Sequence, residues 1–591
     1  MPNIVIDNKK IEAASGKTII EVALEHGIPV THFCWHPELS VSGNCRMCLV
    51  EVGIPKRNSD GSPSLDNLGD PVINYFPKLQ IACATPISEG MHVRTNSENV
   101  VHAQEAVMEF LLINHPLDCP ICDEAGQCKL QEYAYEHSSC NSRFVEEKNH
   151  GPKRVSWGPN VMFDSERCIT CSRCIRFANE IAKQDVLTFV NRGDHVTIEL
   201  FEGTELDSPY SMNVIDLCPV GALTSKDFRF KARVWDMSFN DSICPGCARG
   251  CNTKVGVLNN EILRIEPRTN LYVNKFWMCD YGRLETYKSV NENRVPGPMV
   301  RYKSDLVPCS REEAYSTAAD LISKLAPREI MFLGSGRATN EDNYLLAKFA
   351  KEVIKSPNVD FIRYENPTFA DNFLRVSNMS ANDAGALEVG LYPGESGISI
   401  SELGEKIRFG EIKALYMMED DVTSLRKIFD ELQRLNVMFF HGINMTKTLT
   451  EKANVAFAAS TWAEVEGTYV NINNRVQHFT PVLVTSENIN RMGMKMSRLD
   501  KFGAPNDRWT EGNLRDSRPN WWILNRLAQE FKAGWNYTSS KQIFNEIAEK
   551  IAPFKGMSYK LLDKYDGLTL GNAENPDAKI YKYESHILKP N

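Results

Sequence analysis

No apolar run in this sequence approaches the ~20 residues that cross a bilayer as a helix; the longest, such as Asn436-Val-Met-Phe-Phe440, fall far short. Any contact with a membrane is therefore expected to run through partners. An excess of positive charge is missing too, since the formal net charge is −9, and this gives no basic footprint for nucleic acid. The start, Met1-Pro-Asn-Ile-Val5, has no basic stretch followed by an apolar core and no Arg/Ser-rich amphipathic segment. Neither an export signal nor a transit peptide is expected, and the bacterial cytoplasm is the default location. Cysteine is nearly absent from the second half, where only Cys309 follows Cys279.

What is present is uneven. The 591 residues are too many for one hydrophobic core, and 42% hydrophobic with 24% charged residues is ordinary for a multidomain soluble protein. Of 17 cysteines, all but Cys309 lie between Cys34 and Cys279. Without an export signal these are expected to be reduced thiols, and dense thiols in a reducing compartment point to metal.

The first set begins after a short hairpin, Asn3-Ile-Val-Ile-Asp7 with Ile11-Glu-Ala13, and a helix opened by the capping box Thr18-Ile-Ile-Glu21 and closed at Gly27. Cys34 is followed by Cys45 and Cys48 in the loop Ser40-Val-Ser-Gly-Asn-Cys-Arg-Met-Cys48, and by a distant Cys83. Three close ligands and a remote fourth suit a [2Fe-2S] cluster, with the loop glycine letting backbone N–H groups approach its sulfurs. The spacing differs from the plant-type ferredoxin run, and a four-cysteine zinc site uses the same ligands, although zinc more often comes as paired CxxC knuckles.

A helical periodicity from Asn99 to Asn114 breaks at His115-Pro116, and the following loop reads His115-Pro-Leu-Asp-Cys119-Pro-Ile-Cys122-Asp-Glu-Ala-Gly-Gln-Cys128. A lone histidine is more often a core or capping residue than a ligand. Here three well-spaced cysteines lack a fourth partner and His115 stands beside them. Replacing one thiolate by imidazole is expected to raise the potential of such a site. Cys140, further on, is read as a spare thiol, like Cys309.

Cys168-Ile-Thr-Cys171-Ser-Arg-Cys174 and the later Cys218-Pro219 form a ferredoxin-like [4Fe-4S] pattern. Only one CxxCxxC run exists, so Cys218 closes the same site after a strand-rich excursion. The fourth set is Cys244-Pro-Gly-Cys247-Ala-Arg-Gly-Cys251 with Cys279. Its alternative is a vestigial or zinc-filled site. In the last half, Glu329-Ile-Met-Phe-Leu-Gly-Ser-Gly336 reads as a buried strand and Thr339 to Phe349 as a capped helix. Lys413-Ala-Leu-Tyr-Met-Met418, a helix from Ser424 to Leu435, and Val437-Met-Phe-Phe440 continue an alternation that predicts parallel α/β layers. The single GxG there is weak evidence for a nucleotide.

Together these motifs resemble the large iron-sulfur subunits of bacterial respiratory complex I, NADH:quinone oxidoreductase, over essentially the whole chain. Cys34 to Cys83 are similar to the ferredoxin-like N-terminus of complex I and hydrogenase subunits. His115 to Cys128 match that family's one-histidine, three-cysteine [4Fe-4S] site. Cys244 to Cys279 resemble the [4Fe-4S] module of molybdopterin oxidoreductases, a set many complex I subunits lack. Glu466-Gly-Thr-Tyr-Val-Asn471, Arg475-Val-Gln477 and Arg518-Pro-Asn-Trp-Trp-Ile523 resemble the same superfamily.

The resemblance implies a multidomain α/β and α+β chain. Its parts are a [2Fe-2S] ferredoxin-like β-grasp domain (residues 1–98), a helical/loop domain with the histidine/cysteine-ligated [4Fe-4S] site (99–140) and a ferredoxin-like [4Fe-4S] domain (141–236). A [4Fe-4S] module of the molybdenum/tungsten-oxidoreductase type (237–293) and a molybdopterin-oxidoreductase-like α/β scaffold without molybdenum (294–591) complete it. Ligands are then Cys34, Cys45, Cys48 and Cys83 for one [2Fe-2S] cluster. Three [4Fe-4S] clusters follow, held by His115, Cys119, Cys122 and Cys128; by Cys168, Cys171, Cys174 and Cys218; and by Cys244, Cys247, Cys251 and Cys279.

The implied role is an electron relay from a flavin subunit toward quinone, coupled in the whole complex to ion translocation. This chain would carry no FMN and no substrate-converting site of its own. Expected partners are the other hydrophilic-arm subunits, including the flavin/NADH-binding subunit and the two-cluster ferredoxin-like subunit, in a peripheral arm on the cytoplasmic side of the inner membrane. The competing reading is the electron-input subunit of an NAD-linked hydrogenase or formate dehydrogenase. A molybdenum enzyme commonly needs a cysteine or selenocysteine on the metal; none follows Cys309, although some relatives use serine or aspartate.

Overall fold

The computed structural model describes residues 1–59, 64–67, 69–138, 141–420, 425–485, 516–574 and 576. Cys140 and Ser424 lie outside the described residues. The chain divides into two compact units, which among the described residues cover Met1–Trp235 and those from Asp236 up to residue 576.

In the first unit the strands Asn3–Ile6 and Lys9–Glu12 pair antiparallel, with Ile4 and Ile6 buried on one face. Asn3–Ile6 also runs parallel to His92–Arg94, which pairs antiparallel with Leu49–Pro55. The helix Ile19–Glu25 starts at the capping box of Thr18 and Glu21. Its first amides, Ile19 N and Ile20 N, donate to Thr85 O at 3.0 Å and Ala82 O at 3.1 Å. Helix-start donors that would otherwise be orphaned thus hold the segment carrying Cys83.

Helix Glu98–Ile113, capped by the Ser97 hydroxyl, delivers the chain to His115. Its partner Lys129–His137 takes Cys128 as its N-cap residue. Further on, Val155–Ser156, Val161–Phe163 and Leu223–Ser225 form an antiparallel sheet, and Leu187–Val190 with Thr197–Leu200 a hairpin. That hairpin is the strand-rich excursion between Cys174 and Cys218.

The second unit opens with the antiparallel strands Ser238–Ile243, Asn252–Leu258 and Glu261–Pro267. A seven-stranded sheet follows. Its parallel core lies in the spatial order Val455–Ala458, Val437–Gly442, Ala414–Met418, Ile330–Ser335, Val359–Ile362. That order is doubly wound, with the chain reversing direction between Ile330–Ser335 and Ala414–Met418.

Strand periodicity of two sends alternate side chains to two cores. Ile330, Phe332, Ala414, Tyr416 and Phe439 join one with the helices Arg311–Ser323, Asn340–Lys348, Asn520–Glu530 and Ser540–Lys550. Met331, Leu333, Leu415, Met417, Met438 and Phe440 join the other, with Leu403 and Ile407 of the helix Ile400–Arg408.

One element is shorter than its sequence suggests. The expected helix from Ser424 to Leu435 appears as Arg426–Phe429 and a 3-10 turn Leu432–Arg434. Glu431, between them, is held by Arg408 at 2.9 Å and Arg434 at 2.7 Å. The bonds Arg434 N to Glu431 O and Leu435 N to Leu432 O then close three-residue turns.

Phe332 is fully buried and packs edge-on against Phe349, with ring centroids 6.0 Å apart. Phe332→Ala is expected to destabilise the second unit by about 3–5 kcal/mol, read as a lower urea midpoint, because the parallel sheet cannot collapse into the space left.

Candidate metal centres

The first set sits at the edge of the mixed sheet. Cys34, Cys48 and Cys83 are buried and Cys45 is half-buried. Cys34 N donates to Cys45 Sγ at 3.5 Å. Hydrogen bonds from Cys45 and Cys83 hold the Cys34 thiol far below its ordinary value, and one from Cys83 lowers Cys48. The same bonds, with burial, push Cys45 and Cys83 up. Four thiols sharing protons in this way can all ionise only around a cation, which is what a ferric core supplies. Gly43 (φ 65°) and Arg46 (φ 58°) lie in the left-handed region and bend the loop between the ligands.

In the second set Cys119 is exposed, Cys122 buried and Cys128 half-buried. Cys122 lies within electrostatic reach of both Cys119 and Cys128, and burial pushes it up to about 11. Arg233 clamps the loop by donating to Cys122 O at 2.6 Å and to Cys119 O at 3.4 Å. His115 is half-buried, and burial followed by the charges of Lys148 and Arg167 lowers it to about 4, so the ring is neutral at pH 7, the form a metal requires. Among the described residues its ring makes no hydrogen bond to the three thiols. The structure therefore brings Cys122 within electrostatic reach of Cys119 and Cys128 and places His115 at the start of the same loop.

In the third set Cys171, Cys174 and Cys218 are buried and Cys168 is half-buried. Cys168, Cys171, Cys174 and Cys218 line a cavity of about 20 Å³ whose other walls include Phe163, Ile198 and Leu223. Thr170 (φ 51°) and Ser172 (φ 64°) adopt left-handed conformations between the ligands, and Thr170 N donates to Cys168 Sγ at 3.3 Å. Alternation of this kind turns backbone donors inward to sulfur. Burial, and then the neighbouring thiolates, raise Cys168 to about 12 and Cys174 well above its ordinary value.

The fourth set lies in the second unit, where the loop from Cys244 to Cys251 joins the paired strands Ser238–Ile243 and Asn252–Leu258. Cys244 N donates to Cys251 O at 2.8 Å. All four thiols are buried and raised, by burial first. A Cβ on Gly282 would stand 3.1 Å from Cys244 Sγ and 3.6 Å from Cys279 Sγ, so glycine lets the short helix Asp280–Leu284 approach both. Asn378 O accepts from Ala248 N at 2.9 Å and Gln477 donates to Gly250 O at 2.9 Å, which wires the loop into the α/β body. Single-ion sites need every sulfur about 2.3 Å from one point. Among the described residues no group of three or more His, Cys, Asp or Glu side chains is arranged for one ion.

Two of these sets touch. Gly221, three residues after Cys218, faces the second set so closely that a Cβ would fall 2.1 Å from Cys122 Sγ. Pro219 O also accepts from Lys129 N at 3.1 Å, next to Cys128. In the sequence nothing marks Gly221 except its place in Cys218-Pro-Val-Gly221.

At the carboxyl ends of the central parallel strands a cavity of about 240 Å³ is lined by Gly246, Arg337, Glu419, Asp420, His441 and Trp462, among others. Glu419 is left-handed (φ 65°) and raised well above its ordinary value by burial and by Asp342, and burial raises Asp420 to about 7. Among the described residues no cysteine lines this cavity. The sequence does not mark these carboxyl groups, or the arginines near the thiols, because their burial is a tertiary property.

Five family models match in order. They are a 2Fe-2S iron-sulfur cluster binding domain over residues 2–98, the NADH-ubiquinone oxidoreductase-G iron-sulfur binding region over 104–143, and the ferredoxin-like domain of NADH-quinone oxidoreductase subunit 3 over 158–224. A molybdopterin oxidoreductase Fe4S4 domain matches 237–291 and a molybdopterin oxidoreductase domain 358–490.

The chain is 34% identical to the G-type subunit of the Rickettsia bellii NADH-quinone oxidoreductase over 73% of its own length and 62% of that protein. It is 36% identical to subunit 3 of the Thermus thermophilus enzyme, over 61% of this chain and 47% of that one. It thus spans about half to three-fifths of these relatives. A solved chain of an NAD+-reducing [NiFe]-hydrogenase shares 27% identity, covering 39% of this chain and 91% of that one at a TM-score of 0.33. With the two NADH-quinone oxidoreductase models on the loops that gather the second and third thiol sets, the chain is similar to the large iron-sulfur subunits, G-type or subunit 3, of NADH-quinone oxidoreductase.

Proposed function

We propose that this chain is the electron-relay subunit of an NADH:quinone oxidoreductase. In this reading Cys34, Cys45, Cys48 and Cys83 hold a [2Fe-2S] cluster. His115, Cys119, Cys122 and Cys128 hold one [4Fe-4S] cluster, Cys168, Cys171, Cys174 and Cys218 a second, and Cys244, Cys247, Cys251 and Cys279 a third. The domain division at residues 98, 140, 236 and 293 belongs to the same proposal. When bound, such clusters take up and release one electron at a time.

The observation that carries the reading is the contiguity of three thiol sets within the first unit. Arg176 donates to the carbonyls of both Cys34 and Cys171, joining the first set to the third. The Cys218 to Gly221 segment then joins the third to the second. The proposed route is therefore first, third, second. The chain's own part is to bind the clusters through thiolate, exclude water by burial and set potentials through hydrogen bonds to sulfur and through nearby charge. Partners on this reading are a flavin/NADH-binding subunit on the input side and a two-cluster ferredoxin-like subunit on the output side. No helix among the described residues is long and apolar enough to cross a membrane. Placement in a peripheral arm on the cytoplasmic side is part of the proposal.

Molybdenum is left out of the proposal on chemical grounds. The cavity at the carboxyl ends of the parallel strands sets the buried acid pair Glu419 and Asp420 beside Arg337, and among the described residues no thiolate lines it for a metal. The Cys244 set is assigned a structural role, because its loop is clamped to the α/β body through Asn378 and Gln477.

Anaerobically purified protein is expected to contain about fourteen iron atoms per chain, from one two-iron and three four-iron clusters. Its dithionite-reduced EPR spectrum should show one [2Fe-2S] signal beside [4Fe-4S] signals. Stoichiometric zinc, or molybdenum with pterin, would overturn the reading. Cys244→Ser is expected to lower the amount of assembled complex more than NADH:quinone turnover per assembled complex; the reverse would remove the structural assignment.

A further inference from the structure

The sequence Cys171-Ser-Arg-Cys-Ile-Arg176 places two arginines on the helical turn Arg173–Arg176 that follows the third set's loop, and both reach across to the first set. Arg176 Nη2 donates to Cys34 O at 2.5 Å and to Cys171 O at 3.5 Å. Its Nη1 donates to Ser40 O, and its Nε to Ser172 Oγ at 3.1 Å. Arg173, fully buried, donates to Leu217 O at 2.9 Å and Trp35 O at 2.6 Å, the residues next to Cys218 and Cys34. The thiols of Cys34 and Cys171 both lie within the electrostatic reach of Arg176.

We infer that Arg176 is a shared positioning residue whose guanidinium locks the first and third thiol sets together and sets the reduction potentials of both centres at once. The inference rests on the reading of those sets as cluster sites. Guanidinium stays charged in proteins and presents a rigid fork of five donors, so one side chain can hold carbonyls of two loops. Reduction adds a negative charge to either cluster, and a cation held out of bulk water next to both favours that added charge. A fixed positive charge next to both therefore raises both potentials together. Glu180 opposes this charge. Its carboxylate accepts from Ser40 N at 2.8 Å and from the Ser40 hydroxyl, and it lies within electrostatic reach of Arg176.

The test is an EPR-monitored redox titration of the full-length protein. In R176Q the first-set and third-set signals are expected to persist with both midpoints lowered by at least a tenfold change in equilibrium, about 59 mV for a one-electron couple. The Cys244 signal should stay in place. Unmoved midpoints, or a shift at only one of the two centres, would overturn the inference. Should R176Q fail to load iron, E180Q decides the matter: removing the opposing carboxylate is expected to raise both midpoints, and no rise would sink the inference. A purely structural staple would leave midpoints alone in every variant that binds iron. Wild-type protein without iron-sulfur signals would instead defeat the functional reading itself.

Discussion

Thiols gathered out of water repel one another once ionised, and burial penalises each charge again. The four cysteine sets all carry this conflict, seen in the upward pressure on Cys83, Cys174, Cys218 and Cys251. A protein keeps such an arrangement only where something positive relieves it. The surrounding structure supplies part of that relief through Arg167, Arg173 and Arg176 and through backbone donors such as Thr170 N and Gly282 N. An iron core would supply the rest. The loops, the capped helices and the small sheets of the first unit serve to hold these opposed charges in place.

The second unit follows a different logic. Its parallel sheet is an ordinary hydrophobic construction with apolar layers on both faces. Its carboxyl edge is unusual, because Glu419 and Asp420 are set there with raised proton affinity and Glu419 in a left-handed conformation. Left-handed backbone in a non-glycine residue costs about 1–3 kcal/mol and survives where the surrounding contacts demand it. Glu419 N donates to His441 O at 3.0 Å, and the Asn520 amide donates to its carboxylate, so neighbouring strand and helix impose that conformation. The edge keeps the shape of a ligand cleft and presents two buried carboxyl groups that hold their protons more tightly than exposed ones.

Much of this architecture is legible in local chemistry alone. Capping at Thr18, Thr339 and Ser97 depends on a few adjacent residues, and helices begin there. The unbroken apolar runs Ile330 to Leu333 and Val437 to Phe440 mark strands buried on both faces. The helix expected up to Leu435 is shorter than its local pattern suggests because Glu431 is drawn to Arg408, an arginine 23 residues away.

Cysteine spacing by itself determined the division into candidate thiol sets, since ligands proposed for one cluster are close in the chain or return to it after a folded excursion. It also determined that the second half, with Cys309 alone, is built for another purpose. Only the tertiary structure decided how the sets neighbour one another. The Cys34 and Cys171 loops meet through Arg176, and Gly221 lets the third set's backbone rest against Cys122. Those contacts join residues separated by up to 142 positions. Distances of that kind come from packing and from the pairing of buried charge, which spacing along a chain does not encode.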